Sequence, residues 1–243
     1  MQKIILISHT PNPEQVVAAA AKMCYSNSGA ENILEKLDSE KTTKFLEHLI
    51  SLGHESPLEH ITFTFAIEGV SRALLAQLTR HRMASYSVKS QRYVEEAGFT
   101  YIIPPEIEKN ERALALYLKT MDDLDEVYNQ LTDILKNEHA KTMDEKQALK
   151  TAIEDARFVL PNACETKLIM TFNARSLHNF FSERCCMRAQ WEIRDLANQM
   201  LFILKDIAPV IFKNAGPKCV RGGCPEGSMS CGKKKEMLDL YRG

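Results

Sequence analysis

The chain has 243 residues, of which 44% are hydrophobic and 26% charged, with a formal net charge of −1. That length supports one large or two small cores, while the near-neutral balance excludes a general nucleic-acid binder, which needs a basic excess on one face. No stretch reaches the ~18 consecutive apolar residues of a membrane helix, and the apolar run in MQKIILISHT is too short for a secretory leader. The expectations are therefore a cytoplasmic protein with no nucleic-acid or membrane partner and, with seven cysteines, reduced thiols.

Lys3 to Ser8 is an apolar, β-branched run that predicts an opening strand, and Asn12 followed by Pro13 predicts a capped helix through about Cys24. After a polar loop around Asn27 to Gly29, Ser39 is placed as the cap of a second helix with a Phe45, Leu46, Leu49 and Ile50 stripe, stopped by Gly53. Pro57 then prevents a helix from running through GHESPLEH, residues 53–60. From His60 to Glu68 the chain alternates, with Ile61, Phe63, Phe65 and Ile67 on one face; this predicts a half-buried strand that Gly69 breaks. Ser71 is a candidate cap for a helix bearing Leu74, Leu75 and Leu78, which would place Gln77, Arg80 and His81 on one face.

Arg80 to Arg92 holds three arginines, a histidine, a lysine and three serines. Three consecutive cationic side chains on a helix point about 100° apart, so at least one would face inward. An inward guanidinium requires an anion or a planar acceptor such as a phosphate or a uracil edge. The stretch reads as a platform for an anion and a ring.

The long segment from Ile102–Pro105 to about Glu138 carries Leu114, Leu118, Met121, Leu124, Tyr128, Leu131 and Leu135 at helical spacing. A further helix from about Asp144 leads to Arg157 and Pro161, and Thr166 to Phe172 alternates as another strand. Ser176 is placed as the cap of a helix ending near Arg184, and a last apolar helix spans Gln190 to about Ile207. The predicted class is α+β: a central, mostly antiparallel sheet flanked by helices, with a long helical segment, in one domain over residues 1–215. The Gly-, Pro- and Cys-rich tail, 216–243, is expected to be irregular.

Arg80-His81-Arg82, with Ser90 after seven intervening residues and SQRY at 90–93, resembles the signature of the flavin-dependent thymidylate synthases. GHESPLEH at 53–60, RFVLP at 157–161, NARSLHNF at 173–180, Arg184 and AQWEI at 189–193 are similar to further blocks of that family, in its order and spacing. A solvated basic helix end is the plain reading of RHR alone, and these accompanying blocks argue against it. Ser87, Glu183 and Arg188 depart from residues common elsewhere in the family.

The resemblance implies reductive methylation of dUMP to dTMP, with 5,10-methylenetetrahydrofolate as carbon donor, FAD as cofactor and NADPH as its reductant, in a homotetramer with active sites at subunit contacts. It implies that Gln77, Leu78, Thr79, Arg80, Val88, Lys89, Ser90, Gln91, Arg92, Arg157 and Arg184 hold dUMP, with Arg184 favouring the N3-ionised base and Ser90 polarising the uracil; these two are the catalytic candidates. For FAD it implies His54, Ser56, Glu59, Arg80, His81, Arg82, Val88, Asn173, Ala174, Arg175 and Asn179. A Rossmann mode is not expected, because no GxGxxG follows a strand. Ser90 as a nucleophile would require an aligned base. A nucleotide- or RNA-binding regulator without catalysis is the alternative from another class, and a metal-dependent nucleotide hydrolase is a second enzymatic one.

No metal site is assigned. The spacing HxxxxEH in GHESPLEH is neither HExxH nor HxxEH, and Pro57 prevents helical presentation of both histidines. Cys219, Cys224 and Cys231 lack a paired CxxC, and they become a site only if Cys185 or another chain adds a fourth ligand.

Overall fold

A computed structural model describes residues 2–242, the Ser39 side chain excepted. In chain order the elements begin with β1 (Lys3–His9), α1 (Pro13–Met23), α2 (Ala30–Glu35), α3 (Ser39–Ser51), β2 (Thr62–Ser71), α4 (Arg72–Leu78) and β3 (Ala84–Val88). They continue with α5 (Pro105–Glu108), α6 (Glu111–His139), α7 (Glu145–Ala156), β4 (Glu165–Asn173), α8 (Ala174–Arg184), α9 (Trp191–Ile207), α10 (Pro209–Phe212), α11 (Lys218–Arg221) and α12 (Lys234–Arg242). The four strands form one antiparallel sheet in the order β1-β2-β4-β3, so the class is α+β as expected.

The chain divides into two compact units. The first holds Glu68–Gln77 and Ser87–Leu168 with the chain start to Lys3; the second holds Ile4–Ile67, Leu78–Tyr86 and the chain from Ile169. In the first unit α6 and α7 pack along each other. Asn110 and Asp144 cap them by accepting from Ala113 N and Gln147 N. Small residues on α7, Ala148, Ala152 and Ala156, are buried and permit close approach to a neighbouring element. Phe99, Met121 and Cys164 form a smaller apolar cluster under Tyr101, Tyr117 and Leu160.

The second unit has its core on one face of β2. Ile61, Phe63, Phe65 and Ile67 are all 0% exposed, as their alternation requires. Phe63 meets Phe212 edge-on at 5.6 Å, and α9 adds Ile193, Leu196, Met200, Leu201 and Leu204. Burying each such side chain contributes about 1.5–3 kcal/mol.

Several local expectations are corrected. Gly69 does not end β2: it takes φ 70°, which a residue with a Cβ resists, and the strand continues to Ser71. Asn12 stands at the N-cap in the left-handed region and makes no side-chain cap bond. The cap of α3 is Asp38, accepting from Lys41 N, and that of α8 is Asn173, accepting from Ser176 N. In both, an equally good capping residue precedes the serine marked in the sequence and occupies the cap.

The tail is not irregular. It forms α11, a 3₁₀ turn at Gly227–Met229 and α12. Tyr241 is 1% exposed, and its hydroxyl lies 2.6 Å from Asn198 Oδ1 and 3.3 Å from the Cys185 carbonyl. The Arg242 guanidinium donates to the Val220 carbonyl. The spacing of Met237 and Tyr241, both buried, is the amphipathic signal that the glycines before it obscured.

Candidate active site

Helix α4 ends at Leu78, so Arg80, His81 and Arg82 lie in the turn between α4 and β3 rather than on a helical face. Tyr86 on β3 holds this turn: its hydroxyl is 2.9 Å from both the Leu78 and His81 carbonyls, and burial pushes its pKa up to about 12. The turn is therefore shaped by hydrogen bonds to its carbonyls rather than by helical spacing.

Arg80, His81 and Arg82 line a cavity of about 650 Å³ in the second unit, with Glu59, Asn173, Arg175, Asn179 and Arg184. His54 and Ser56 are exposed and are not among its lining residues, and Ala174 is fully buried with its N–H donated to the Ile61 carbonyl. Inside the cavity Arg184 Nε donates to His81 Nε2 at 3.0 Å, which fixes the imidazole as the acceptor. Burial first, and the Arg184 charge second, lower the His81 pKa, with Glu183 opposing. His81 also meets Phe180 edge-on at 5.0 Å. Arg175 is bonded to Glu59 and lies 3.7 Å from Glu55, so its charge is already partly matched.

His178 and Arg221 are among the lining residues that were not anticipated. His178 is buried on α8, stacked on Phe212, with its Nδ1 bonded to the Arg221 guanidinium. Burial, then Arg221, lower its pKa to about 3, so it is neutral at ordinary pH. Arg221 lies 3.7 Å from Glu55 and belongs to the tail, where the sequence offered no reason to seek a cavity residue.

The first unit carries a second cationic group. Arg92 pairs with Glu154 at 2.8 Å, and Arg157 Nε donates to the Glu154 carbonyl at 3.0 Å, so one residue of α7 organises two guanidiniums. The exposed rings of Tyr93 and Phe158 lie beside Arg92 and Arg157 respectively. The Ser90 hydroxyl accepts from Arg92 N at 3.2 Å. Lys89 pairs at 2.7 Å with Glu96, which is only 4% exposed, and Gln91 is buried with its carbonyl accepting from Arg72.

Arg72 was also missed. Its guanidinium reaches the Lys89 carbonyl, Thr166 and Gln91, tying the loop after β3 to β4. A cation in the first turn of a helix opposes the dipole, and that misfit was the available signal. Gln77 donates to the Ala73 carbonyl, Leu78 is buried and offers only backbone, Thr79 sits exposed in the turn, and Val88 ends β3.

The sequence signature of the Thy1 family, described as thymidylate synthase complementing protein, matches residues 5–210. A flavin-dependent thymidylate synthase of Clostridium tetani is 55% identical over 240 residues, covering 98% of this chain and 96% of the relative. That of Geobacter sulfurreducens is 49% identical, covering 99% and 98%, and that of Pyrococcus furiosus 38%, covering 93% and 90%. With the RHR turn intact and similarity running through the whole chain, the protein belongs to the flavin-dependent thymidylate synthase family.

Proposed function

We propose that the protein converts dUMP to dTMP, taking a one-carbon unit from 5,10-methylenetetrahydrofolate, with FAD as the bound flavin and NADPH as its reductant. The observation that carries this reading is the second unit's cavity, where Arg80, Arg82, Arg175 and Arg184 stand with His81. Several guanidiniums in one cavity fit a pyrophosphate, which takes paired charge-assisted hydrogen bonds. The donor set therefore suits FAD, with Arg82, Arg175, Asn173 and Asn179 as its ligands. The bound flavin supplies the hydride that completes the methyl group.

The chain's own residues bind and bias the pyrimidine. Arg184, oriented by neutral His81, presents fixed positive charge that favours the N3-ionised base and stabilises charge as C5 gains its carbon. Arg92 and Arg157 are the phosphate ligands, and Glu154 sets their approach. Ser90 polarises a uracil carbonyl; among the described residues its hydroxyl has no bonded general base that would make it a nucleophile. The assembly is a homotetramer and the compartment the cytoplasm.

The test is release of tritium from 5-tritiated dUMP under anaerobic conditions, with NADPH and the folate present. Yellow protein whose flavin band shifts on adding dUMP, with tritium release dependent on both co-substrates, supports the reading. A colourless protein that binds nucleotide and releases no tritium returns the regulator. Chelator-sensitive turnover without reduced nicotinamide returns the hydrolase.

A further inference from the structure

A second cavity in the same unit, of about 330 Å³, lies where the α8–α9 junction meets the tail. Its wall holds Cys186 from the junction and Cys219, Cys224 and Cys231 from the tail. Four of the seven cysteines thus face one space, although Cys186 lies far from the others in sequence. None is in a disulfide. The sequence pointed to Cys185 as the fourth ligand; Cys185 is instead buried against Tyr241, and its neighbour Cys186 faces the tail.

We propose that Cys186, Cys219, Cys224 and Cys231 form a four-thiolate structural site for Zn²⁺. Four sulfur donors suit a closed tetrahedral zinc site, and thiolates select soft or borderline metals over Mg²⁺ or Ca²⁺. A zinc ion with four thiolates carries two net negative charges. Among the side chains lining the same cavity, Arg184, Arg188 and Lys218 outnumber Glu183 and Glu226 by one, which offsets part of that charge. The carboxylate of Glu226, a competing oxygen donor, is taken by Arg188, which also donates to the Met229 carbonyl at 3.1 Å.

Among the described residues no three such side chains already meet at one point, so the tail must close on the ion. Gly222, Gly223, Gly227 and Gly232 punctuate the segment. Gly227 and Gly232 take φ 52° and 73°, the turns that bring successive thiols to one side. Closure would fix the segment that also carries Arg221 into the neighbouring cavity.

The experiment is elemental analysis of the purified flavoprotein, with zinc K-edge X-ray absorption. The expected result is about one zinc per chain, bound by four sulfurs at ~2.3 Å. Cys186→Ser and, in the more exposed loop, Cys224→Ser should each lower zinc retention against a chelator by more than the roughly 10- to 100-fold of an outer-shell change. Cys24→Ser, on an exposed cysteine elsewhere, should retain it. Folded protein without zinc, a shell lacking sulfur, or a Cys186→Ser protein with full retention would overturn the site. So would iron with acid-labile sulfide, or a disulfide joining two of the four cysteines.

Discussion

Arg184 Nε donates to His81 Nε2 at 3.0 Å across 103 positions of sequence, linking the end of α8 to the turn after α4. The bond needs a deprotonated imidazole nitrogen, and the half-buried setting of His81 beside the Arg184 charge lowers its pKa in favour of that form. Arg184→Ala should abolish dTMP formation, by roughly a hundredfold or more in kcat, while the circular dichroism spectrum and Tm stay close to the parent's. Unchanged turnover in a folded variant would remove Arg184 from the chemistry.

Arg92→Ala should act mainly on substrate binding. Its guanidinium is held by Glu154 in a half-exposed pair that contributes little to stability. The expected outcome is a rise in KM for dUMP of tenfold or more with a Tm within a few degrees of the parent's, read from steady-state kinetics and thermal melts. On the proposal that Arg92 holds the dianionic phosphate, deoxyuridine binding should change much less.

His178 gives the fold a pH dependence of known sign. The unfolded chain protonates this imidazole near 6.5 and the folded chain only near 3, so between those values the unfolded state binds more protons. Stability is therefore lost as pH falls from about 6.5 toward 3, by at most about 1.4 kcal/mol per pH unit from this group. Urea midpoints measured from pH 7 to pH 5 should decline, and His178→Asn should flatten the decline.

Gly216→Ala should loosen the tail. Gly216 takes φ 148°, and an added Cβ would meet the Tyr241 ring at 3.0 Å. Displacing that ring disturbs its hydroxyl bonds to Asn198 and Cys185. Limited proteolysis should cut the tail faster, and Tm should fall by several degrees, in keeping with the roughly 1–3 kcal/mol of overpacking.

The sheet's inner strands were legible because β2 and β4 alternate strongly, and a two-residue period with large apolar side chains has one physical solution. Strand β3 was not: ASYSV has small polar residues at the alternate positions, and its edge place relieves it of burial on both faces. The motif residues were found by their pattern, but their geometry was misread because the turn at Arg80 depends on Tyr86, whose role is a tertiary hydrogen bond. Arg72, Glu154 and His178 eluded the sequence for the same reason, since each acquires its task only from what folding brings beside it.

Tyr241 also bears on how the protein can be shortened. Its ring stacks on Phe202 at 6.3 Å, and its carbonyl accepts from Lys205 of α9. Deleting the chain after residue 215 would strip a plug from α9, leaving Asn198 and the Cys185 carbonyl without their hydroxyl partner and apolar side chains facing water. A minimal fragment designed on the family-matched stretch, residues 5–210, alone would carry a raw surface, and poor solubility of such a fragment would reflect the missing plug rather than a fault in the sheet.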